Sequence, residues 1–396
     1  MLRLFDQRIN LSFIVNPFYL YCIAFSFALI AYLAGWSNIF PKLSAGLLLF
    51  FAVTFVIFIF AGYLFVKKQP DFYNHQTFGR HLNDIIFWLI ILLGVINVLY
   101  MGYLPVLDRS HNYREFGMPV IDPLFNSLSI FFSVFFFHSF LDTRKKRLLI
   151  YLIIILIFQA IIFRRSAMMW IIISSSFLFI LYLKRIRLLV IILSIICIPV
   201  LSYCFGLYGN FRSNLTKSFV INDLGASDTF KNSGISFNHY MTYLYLSSPL
   251  ANLQENIDRK VGELKNDDLK NFLFYCLIPQ SFTIRLEKRL QLLPPSTYLI
   301  SPNLIVGSFY MVSFFTLGWI GMISMFLYLL LFILLCLSII RRWNICGLET
   351  YSLLSTMVCM LIFSNFLNRL DVILMLFVYP VIFHFLFNIK SRRIIL

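Results

Sequence analysis

Residues 43–66 read LSAGLLLFFAVTFVIFIFAGYLFV, a run without a single charged residue. A helix needs about 20 mostly apolar residues to cross the hydrocarbon core of a bilayer, so this run is long enough to span it. Further runs of the same kind follow along the 396 residues, which are 60% hydrophobic and only 13% charged. A soluble domain carries roughly 25% charged residues. The sequence therefore predicts an all-α polytopic membrane protein.

The apolar runs predict about ten membrane-spanning helices and one large loop between them. The division is 1–205 for the first seven spans, 206–300 for the loop and 301–396 for the last three. The run that follows the loop is too long for one helix, so we expect a dipping or interfacial piece near 299–311. The predicted spans are 17–36, 43–66, 82–104, 121–141, 148–163, 166–183, 188–205, 312–340, 349–367 and 372–389.

Basic residues in the short connections predict the orientation of the chain, because cytoplasmic loops are enriched in Lys and Arg. The side that holds the N-terminus receives 17 Lys and Arg residues, and the opposite side receives 6. Both termini are therefore expected in the cytoplasm, and 206–300 on the outer side. The net charge of +16 follows from these topology signals, so a nucleic-acid partner is not expected.

The large loop has helical patterning of its own. Ser248-Pro249 resembles an N-cap followed by proline at the first helical position, with apolar residues at helical spacing after it. A second stretch, 268–293, breaks at Pro279 and ends at Pro294-Pro295. We expect amphipathic helices that lie on the membrane surface or cap the helix bundle.

Arginines on the expected outer side are the strongest functional signal. The planar guanidinium donates two parallel hydrogen bonds to a pair of oxygens, which suits phosphate. Arg164-Arg165 lies between the fifth and sixth spans, at the tip of a predicted tight hairpin, where a topology signal would not place it. We predict that these arginines bind a lipid-linked pyrophosphate; the alternative is that they bind anionic headgroups or pair with loop carboxylates. The candidates for binding the pyrophosphate are Arg164, Arg165, Arg212, Arg285 and Arg289, and Arg109 and Arg114 are candidates for the acceptor side.

His239 is the candidate general base, since an imidazole titrates near pH ~6.5 and can accept a proton from a sugar hydroxyl. A loop histidine bonded to the backbone is an equally good interpretation of the sequence. Tyr243 and Tyr245 follow it and could stack on acceptor sugars or form an interface belt. No Cys/His or Asp-x-Asp spacing indicates a metal site, so we expect neither a metal nor another cofactor.

Four segments resemble the Wzy-type O-antigen polymerases, the oligosaccharide repeat unit polymerases. Ten spans with one large, late outer loop match that family's layout. A repeated Arg-to-Gly spacing that some members carry in two outer loops is absent here, so Arg165, Arg212 and Arg285 are carried over only as phosphate-contacting residues. The similar segments are Phe163-Arg-Arg-Ser-Ala-Met, Tyr208-Gly-Asn-Phe-Arg-Ser, Tyr245-Leu-Ser-Ser-Pro-Leu-Ala-Asn-Leu and Gly318-Trp-Ile-Gly.

The resemblance implies a GT-C-like fold and glycosyltransferase activity in lipopolysaccharide biosynthesis. The growing glycan would leave undecaprenyl pyrophosphate and join a hydroxyl of an incoming lipid-linked repeat unit, at the periplasmic face of the bacterial inner membrane. Arg212 would stabilise the leaving group and His239 would take the acceptor proton, with Arg165 lining the same cavity. Donor and acceptor lipid-linked oligosaccharides, membrane lipids and a chain-length regulator protein are the implied partners.

Two other functions remain open from the sequence. An O-antigen ligase shares the layout and the donor, and a histidine late in the outer loop would favour it; the last outer histidine here is His239, early in the loop. A flippase or transporter of lipid-linked oligosaccharide would show two similar halves and polar residues deep in the spans.

Overall fold

Helices make up the architecture. In the computed structural model, two-residue strands, β1 (Arg8–Ile9) and β2 (Ile186–Arg187), pair antiparallel. The remaining regular structure among the described residues is helical, which confirms the predicted all-α class. The structure describes residues 8–9, 12–66, 78–108, 116–183, 186–213, 217–259, 266–290, 292, 294–343 and 346–385.

Each predicted span overlaps a helix, although the ninth, 349–367, is helical only to Met360. Among the described residues, five helices are long and apolar enough to cross a membrane, and shorter apolar helices accompany them, which confirms a multi-pass membrane protein. The helix from Leu370 continues to Phe385 through a π-helical turn. The helices in these regions are α1 (Pro17–Leu33), α2 (Ala45–Val66), α3 (Arg80–Met101), α4 (Ile121–Thr143), α5 (Lys146–Ile161), α6 (Arg165–Leu183), α7 (Leu188–Ser213), α13 (Met311–Trp343), α14 (Gly347–Met360) and α15 (Leu370–Ile373).

The region between α7 and α13 is also largely helical. One predicted boundary differs from the structure, because α7 continues beyond 205 to Ser213. The predicted end of helical structure before Pro294 agrees with it, since the residues from Pro294 to α13 are not helical. The predicted break at Pro279 is present, because a π-helical turn ends at Leu277 and the next helix starts at Gln280. The helices are α8 (Lys217–Asn222), α9 (Asp228–Lys231), α10 (Phe237–Arg259), α11 (Asn266–Phe272) and α12 (Gln280–Leu290).

The chain forms two compact units. The first consists of Met1–Lys67, Arg185–Leu331 and Val358–Arg369. The second consists of Lys68–Lys184, Phe332–Met357 and Leu370–Leu396.

The core of the first unit is aromatic and contains a short hydroxyl network. Tyr21 of α1 donates to Thr54 Oγ1 of α2 at 3.3 Å, and its hydroxyl lies 2.7 Å from that of Tyr310. The Tyr21 ring packs edge-on against Phe58 at 4.6 Å. These contacts tie α1, α2 and the residue before α13 together, because a phenol buried in an apolar core needs a hydrogen-bond partner.

The central helix of the first unit is α10, and its start corrects a sequence prediction. The N-cap prediction at Ser248-Pro249 is wrong, since α10 begins at Phe237 and runs through Pro249. Proline removes one helical hydrogen bond. Leu250 and Leu253, which follow Pro249, are fully buried. Burial of each such side chain stabilises the folded protein by roughly 2 kcal/mol. The buried part of this helix therefore does not lie on a membrane surface, as one expectation had it. The other expectation, a cap on the helix bundle, stays a prediction.

Two asparagines on α10 hold the extended segment that precedes α13. Asn256 exchanges hydrogen bonds with the backbone of Tyr298, through its Nδ2 at 2.8 Å and its Oδ1 at 3.0 Å. One turn earlier, Asn252 accepts from Ile300 N at 3.0 Å and donates to Val306 O at 2.8 Å. The segment expected near 299–311 is therefore largely non-helical and packs against α10. Side chains of α10 supply hydrogen-bond partners for its backbone groups.

The second unit is organised around α4, the most buried of its long apolar helices. The helices α3, α5 and α6 all pack against it. Phe87 of α3 and Tyr151 of α5 stack with ring centroids 4.1 Å apart. Because α4 is enclosed, its polar residues need partners within the protein.

Candidate functional site

The turn between α5 and α6 carries Arg164 and Arg165. The left-handed φ of 58° at Phe163 reverses the chain directly after α5. Such a φ is uncommon for a bulky residue. It is maintained here by burial of the Phe163 side chain and by its N–H, which donates to Ala160 O at 3.1 Å. The predicted tight hairpin is confirmed, with both arginines at its tip.

Arg164 is held in place by the start of α4. Its Nη2 donates to the Asp122 carboxylate and to Phe116 O, the second at 3.1 Å, and its guanidinium lies 5.9 Å from the centre of the Phe125 ring. Among the described residues, all of these hydrogen bonds use Nη2. Arg164 therefore pairs with a carboxylate, which is one of the alternatives that the sequence left open. A role for Arg164 in binding phosphate stays a prediction.

His239 lies in the first turn of α10, beside α7. Its Nδ1 is 3.1 Å from Ser202 Oγ, and its ring meets Tyr203 edge-on at 5.8 Å. If the imidazole donates from Nδ1 to the serine, Nε2 carries the lone pair and can accept a proton. The structure thus gives His239 a side-chain partner that the sequence did not predict.

A glycine lets α7 and α10 approach each other beside this histidine. A Cβ on Gly206 would lie 1.8 Å from the backbone oxygen of Asn238. Thr242 Oγ1 also donates to Ser202 O at 2.7 Å, one turn along α10. Two contacts between α7 and α10 therefore position the Ser202–His239 pair, the close approach at Gly206 and the hydrogen bond from Thr242 to Ser202 O.

The other predicted arginines lie in different surroundings. Arg212 lies near the end of α7, and its side chain is outside the described residues. Arg285 and Arg289 are exposed on α12. Arg109 and Arg114 lie outside the described residues altogether.

The predicted site residues fall in both compact units. Arg164 and Arg165 belong to the second unit, whereas Arg212, His239 and Arg285 belong to the first. Their shared role therefore stays a prediction.

The two tyrosines predicted to contact the acceptor are packed against other rings. Tyr243 is buried, and its hydroxyl accepts from Trp36 N at 3.2 Å. Tyr245 is partly buried and packs against Phe363 at 4.9 Å. In this structure Tyr243 is a core residue, whereas the partly exposed Tyr245 can still meet a ligand.

A buried acid–histidine pair lies in the second unit. His138 Nδ1 of α4 is 2.8 Å from Glu349 Oε1 of α14, and Asp142 lies 4.0 Å from the other ring nitrogen. Glu349 is fully buried and His138 is 4% exposed. The sequence signal was present, because an ionisable residue inside an apolar run is a functional candidate, but spacing gave no indication of the pairing.

Further polar contacts follow α4. Asn126 Nδ2 donates to Asp371 Oδ2 at 2.5 Å, and Ser127 Oγ lies 2.6 Å from the Tyr379 hydroxyl. All four residues are largely buried. The helix therefore carries polar groups deep in the second unit. Asn126 and Ser127 have partners there, whereas the buried hydroxyls of Ser129 and Ser133 have no hydrogen-bond partner among the described residues.

The described residues contain no group of three or more His, Cys, Asp or Glu side chains arranged to hold a metal ion. Comparison with known proteins adds no assignment to this geometry. No protein-family model, no curated protein and no solved structure matches the chain.

Proposed function

We propose that the protein is a polysaccharide polymerase of the bacterial inner membrane. It transfers a growing glycan from undecaprenyl pyrophosphate to a hydroxyl of an incoming lipid-linked repeat unit, at the periplasmic face. The sugar–diphosphate bond of the donor breaks, a new glycosidic bond forms to the acceptor oxygen, and the acceptor proton passes to a base.

The Ser202–His239 pair is the observation that carries this proposal. A general base must present a nitrogen lone pair to the acceptor hydroxyl. His239 Nδ1 lies 3.1 Å from Ser202 Oγ, and in the tautomer that donates from Nδ1 the lone pair is on Nε2. Because α7 and α10 meet at Gly206, the ring is held on a rigid helix crossing, which supports a catalytic position.

Arg164 supports the leaving-group half of the reaction. Negative charge develops on the departing diphosphate, and donors already oriented toward that charge lower the barrier. Asp122 and Phe116 O fix the guanidinium through Nη2. The remaining donors of Arg164 can then bind diphosphate oxygens.

Replacing His239 with alanine should reduce polymer formation in cells by about 100-fold or more, the usual contribution of a general base. His81→Ala is the matched control, because His81 is exposed at the start of α3. Ser202→Ala should give a smaller loss, since it removes only the group that orients the ring. Polymer length is read on gels beside membrane-protein abundance.

Full-length polymer at the normal level from the His239→Ala protein would contradict the base assignment. Arg165→Ala and Arg212→Ala belong to the same test, because both arginines are proposed to bind the diphosphate of the donor. If all three variants make full-length polymer, the roles assigned to these three residues are wrong.

A second candidate, a flippase for the lipid-linked oligosaccharide, is favoured by one observation. The His138–Glu349 and Asn126–Asp371 contacts place polar groups deep in the second unit, as transporters do along a substrate path. A transport assay distinguishes the two functions, because a flippase moves the lipid and leaves its glycan length unchanged.

A further inference from the structure

Gln159 is a buried glutamine on α5 whose side-chain amide has no hydrogen-bond partner among the described residues. The residue is 0% exposed, and both Oε1 and Nε2 lack a partner there. Buried amides in folded proteins are nearly always hydrogen-bonded, because an unpaired one loses the free energy of its bonds to water. The amide of Gln159 therefore indicates a neighbouring molecule that both donates and accepts hydrogen bonds.

Two serines on α4 have equally buried hydroxyls. Ser129 and Ser133 are fully buried, and neither hydroxyl has a partner in the part of the chain that the structure describes. They follow Phe125 at intervals of four residues, so the three side chains lie along one face of α4. Phe125 packs edge-on against Phe158 of α5, with ring centroids 5.7 Å apart. This face of α4 is therefore turned toward α5.

Gln159 lies on the face of α5 that is turned toward α4. It follows Tyr151 by eight residues, and Tyr151 packs edge-on against Phe136 of α4 at 5.5 Å. The two helices are joined by a two-residue connection and run in opposite directions. Because side chains lean toward the N-terminus of their helix, those of Gln159 and Ser129 lean toward each other. They do not bond directly, so a bridging molecule fits between them.

We propose that ordered water binds between Gln159, Ser129 and Ser133 and joins α4 to α5 through hydrogen bonds. A buried water makes about three hydrogen bonds to polar groups that are otherwise unpaired. Water donates and accepts, as the amide of Gln159 requires, whereas a cation would leave the Nε2 donors unpaired. This site is independent of the proposed function.

The proposed water site lies beneath the turn that carries Arg164. The backbone N–H of Arg164 donates to Gln159 O at 3.0 Å. Asp122, which accepts from the Arg164 side chain, lies seven residues before Ser129 on the same face of α4. A water-mediated bridge at Gln159 therefore holds this turn against α4 and positions Arg164.

Radiolytic labelling of the full-length protein in detergent tests the site. Hydroxyl radicals form from bound water in place and react with the side chains beside it. Phe125 should be labelled although it is 1% exposed, and Gln159→Leu should lower its labelling to the level of Phe131. Phe131 is the matched control, because it is 0% exposed on α4 and packs against Tyr379 at 5.3 Å. Labelling of Phe125 no higher than that of Phe131 in the unsubstituted protein would overturn the proposal.

The direction of a change in unfolding temperature tests the same site. Gln159→Leu should lower the unfolding temperature by about 3 °C, because the water and both serines lose a hydrogen-bond partner. Without bound water, loss of an unpaired amide should raise it instead. Adding Ser129→Ala and Ser133→Ala to Gln159→Leu should recover stability, since no unpaired hydroxyl then remains at the site. Ile155→Leu is the control for a volume-conserving change on the same face of α5, and it should have little effect.

Ser129→Ala removes a single hydroxyl, so it keeps the test informative if Gln159→Leu fails to fold. It should lower the labelling of Phe125 and leave that of Phe131 unchanged. A higher unfolding temperature for Gln159→Leu would contradict bound water. An unfolding temperature that is higher in Na⁺ than in choline at equal ionic strength, with the difference lost in Gln159→Leu, would assign the site to a cation and reject water.

Discussion

Replacing Gly206 with alanine should destabilise the protein by about 3 kcal/mol or more, at the upper end of the usual cost of overpacking. The added Cβ would lie 1.8 Å from the backbone oxygen of Asn238 and 2.7 Å from its backbone carbon. Both atoms belong to α10, which is anchored by buried residues. Because backbone atoms cannot rotate aside, α7 and α10 would have to separate.

The loss is measured as a lower unfolding temperature of the purified protein in detergent. A thiol-reactive dye reports unfolding as a rise above the labelling of the folded protein, since Cys276, Cys336 and Cys346 are buried whereas Cys197 and Cys204 are exposed. The control is Gly79→Ala, at a glycine with no atom within 4 Å of an added Cβ and no positive φ. A Gly206→Ala protein that unfolds at the same temperature as the unsubstituted protein would contradict the close crossing of α7 and α10.

Replacing His138 with leucine should destabilise the protein by about 3–5 kcal/mol, the cost of removing one partner from a buried ion pair. The substitution leaves the Glu349 carboxylate, which is fully buried, without the imidazole that lies 2.8 Å away. The double variant His138→Leu/Glu349→Leu removes both polar groups and should recover much of the stability, because an apolar pair replaces the ionic one.

The same dye assay measures both variants. Asp142→Asn is the matched control, since Asp142 is 4.0 Å from His138 and its side chain is 30% exposed. In this interpretation, each of the two buried polar groups offsets the cost of burying the other. It is contradicted by an unchanged unfolding temperature for His138→Leu, and equally by a double variant that is less stable than the single one.

The sequence predicted those parts of the fold that depend on local pattern. Apolar length located the spanning helices, and Arg164-Arg165 between two apolar runs predicted the hairpin. It did not predict the start of α10, because Ser248-Pro249 has the local chemistry of a helix start. The burial of Leu250 and Leu253 outweighs that signal, and burial depends on residues distant in the chain.

The candidate site was less predictable for the same reason. Asp122 lies 42 residues from Arg164, and Glu349 lies 211 residues from His138. The spacing of residues along the chain does not predict pairs that are so far apart in the sequence. The sequence predicted the residue types, namely arginines to bind phosphate and a histidine to accept a proton. The packing of α7 against α10 places Ser202 beside His239, which the sequence did not predict.

Reconstitution tests the proposed polymerase activity most directly. Purified protein in vesicles is given a synthetic polyprenyl diphosphate-linked repeat unit, and glycan length and released polyprenyl diphosphate are followed together. We predict longer glycans, with one polyprenyl diphosphate released for each new glycosidic bond. The His239→Ala protein should form neither product. Movement of the lipid across the vesicle membrane with no gain in glycan length would contradict it.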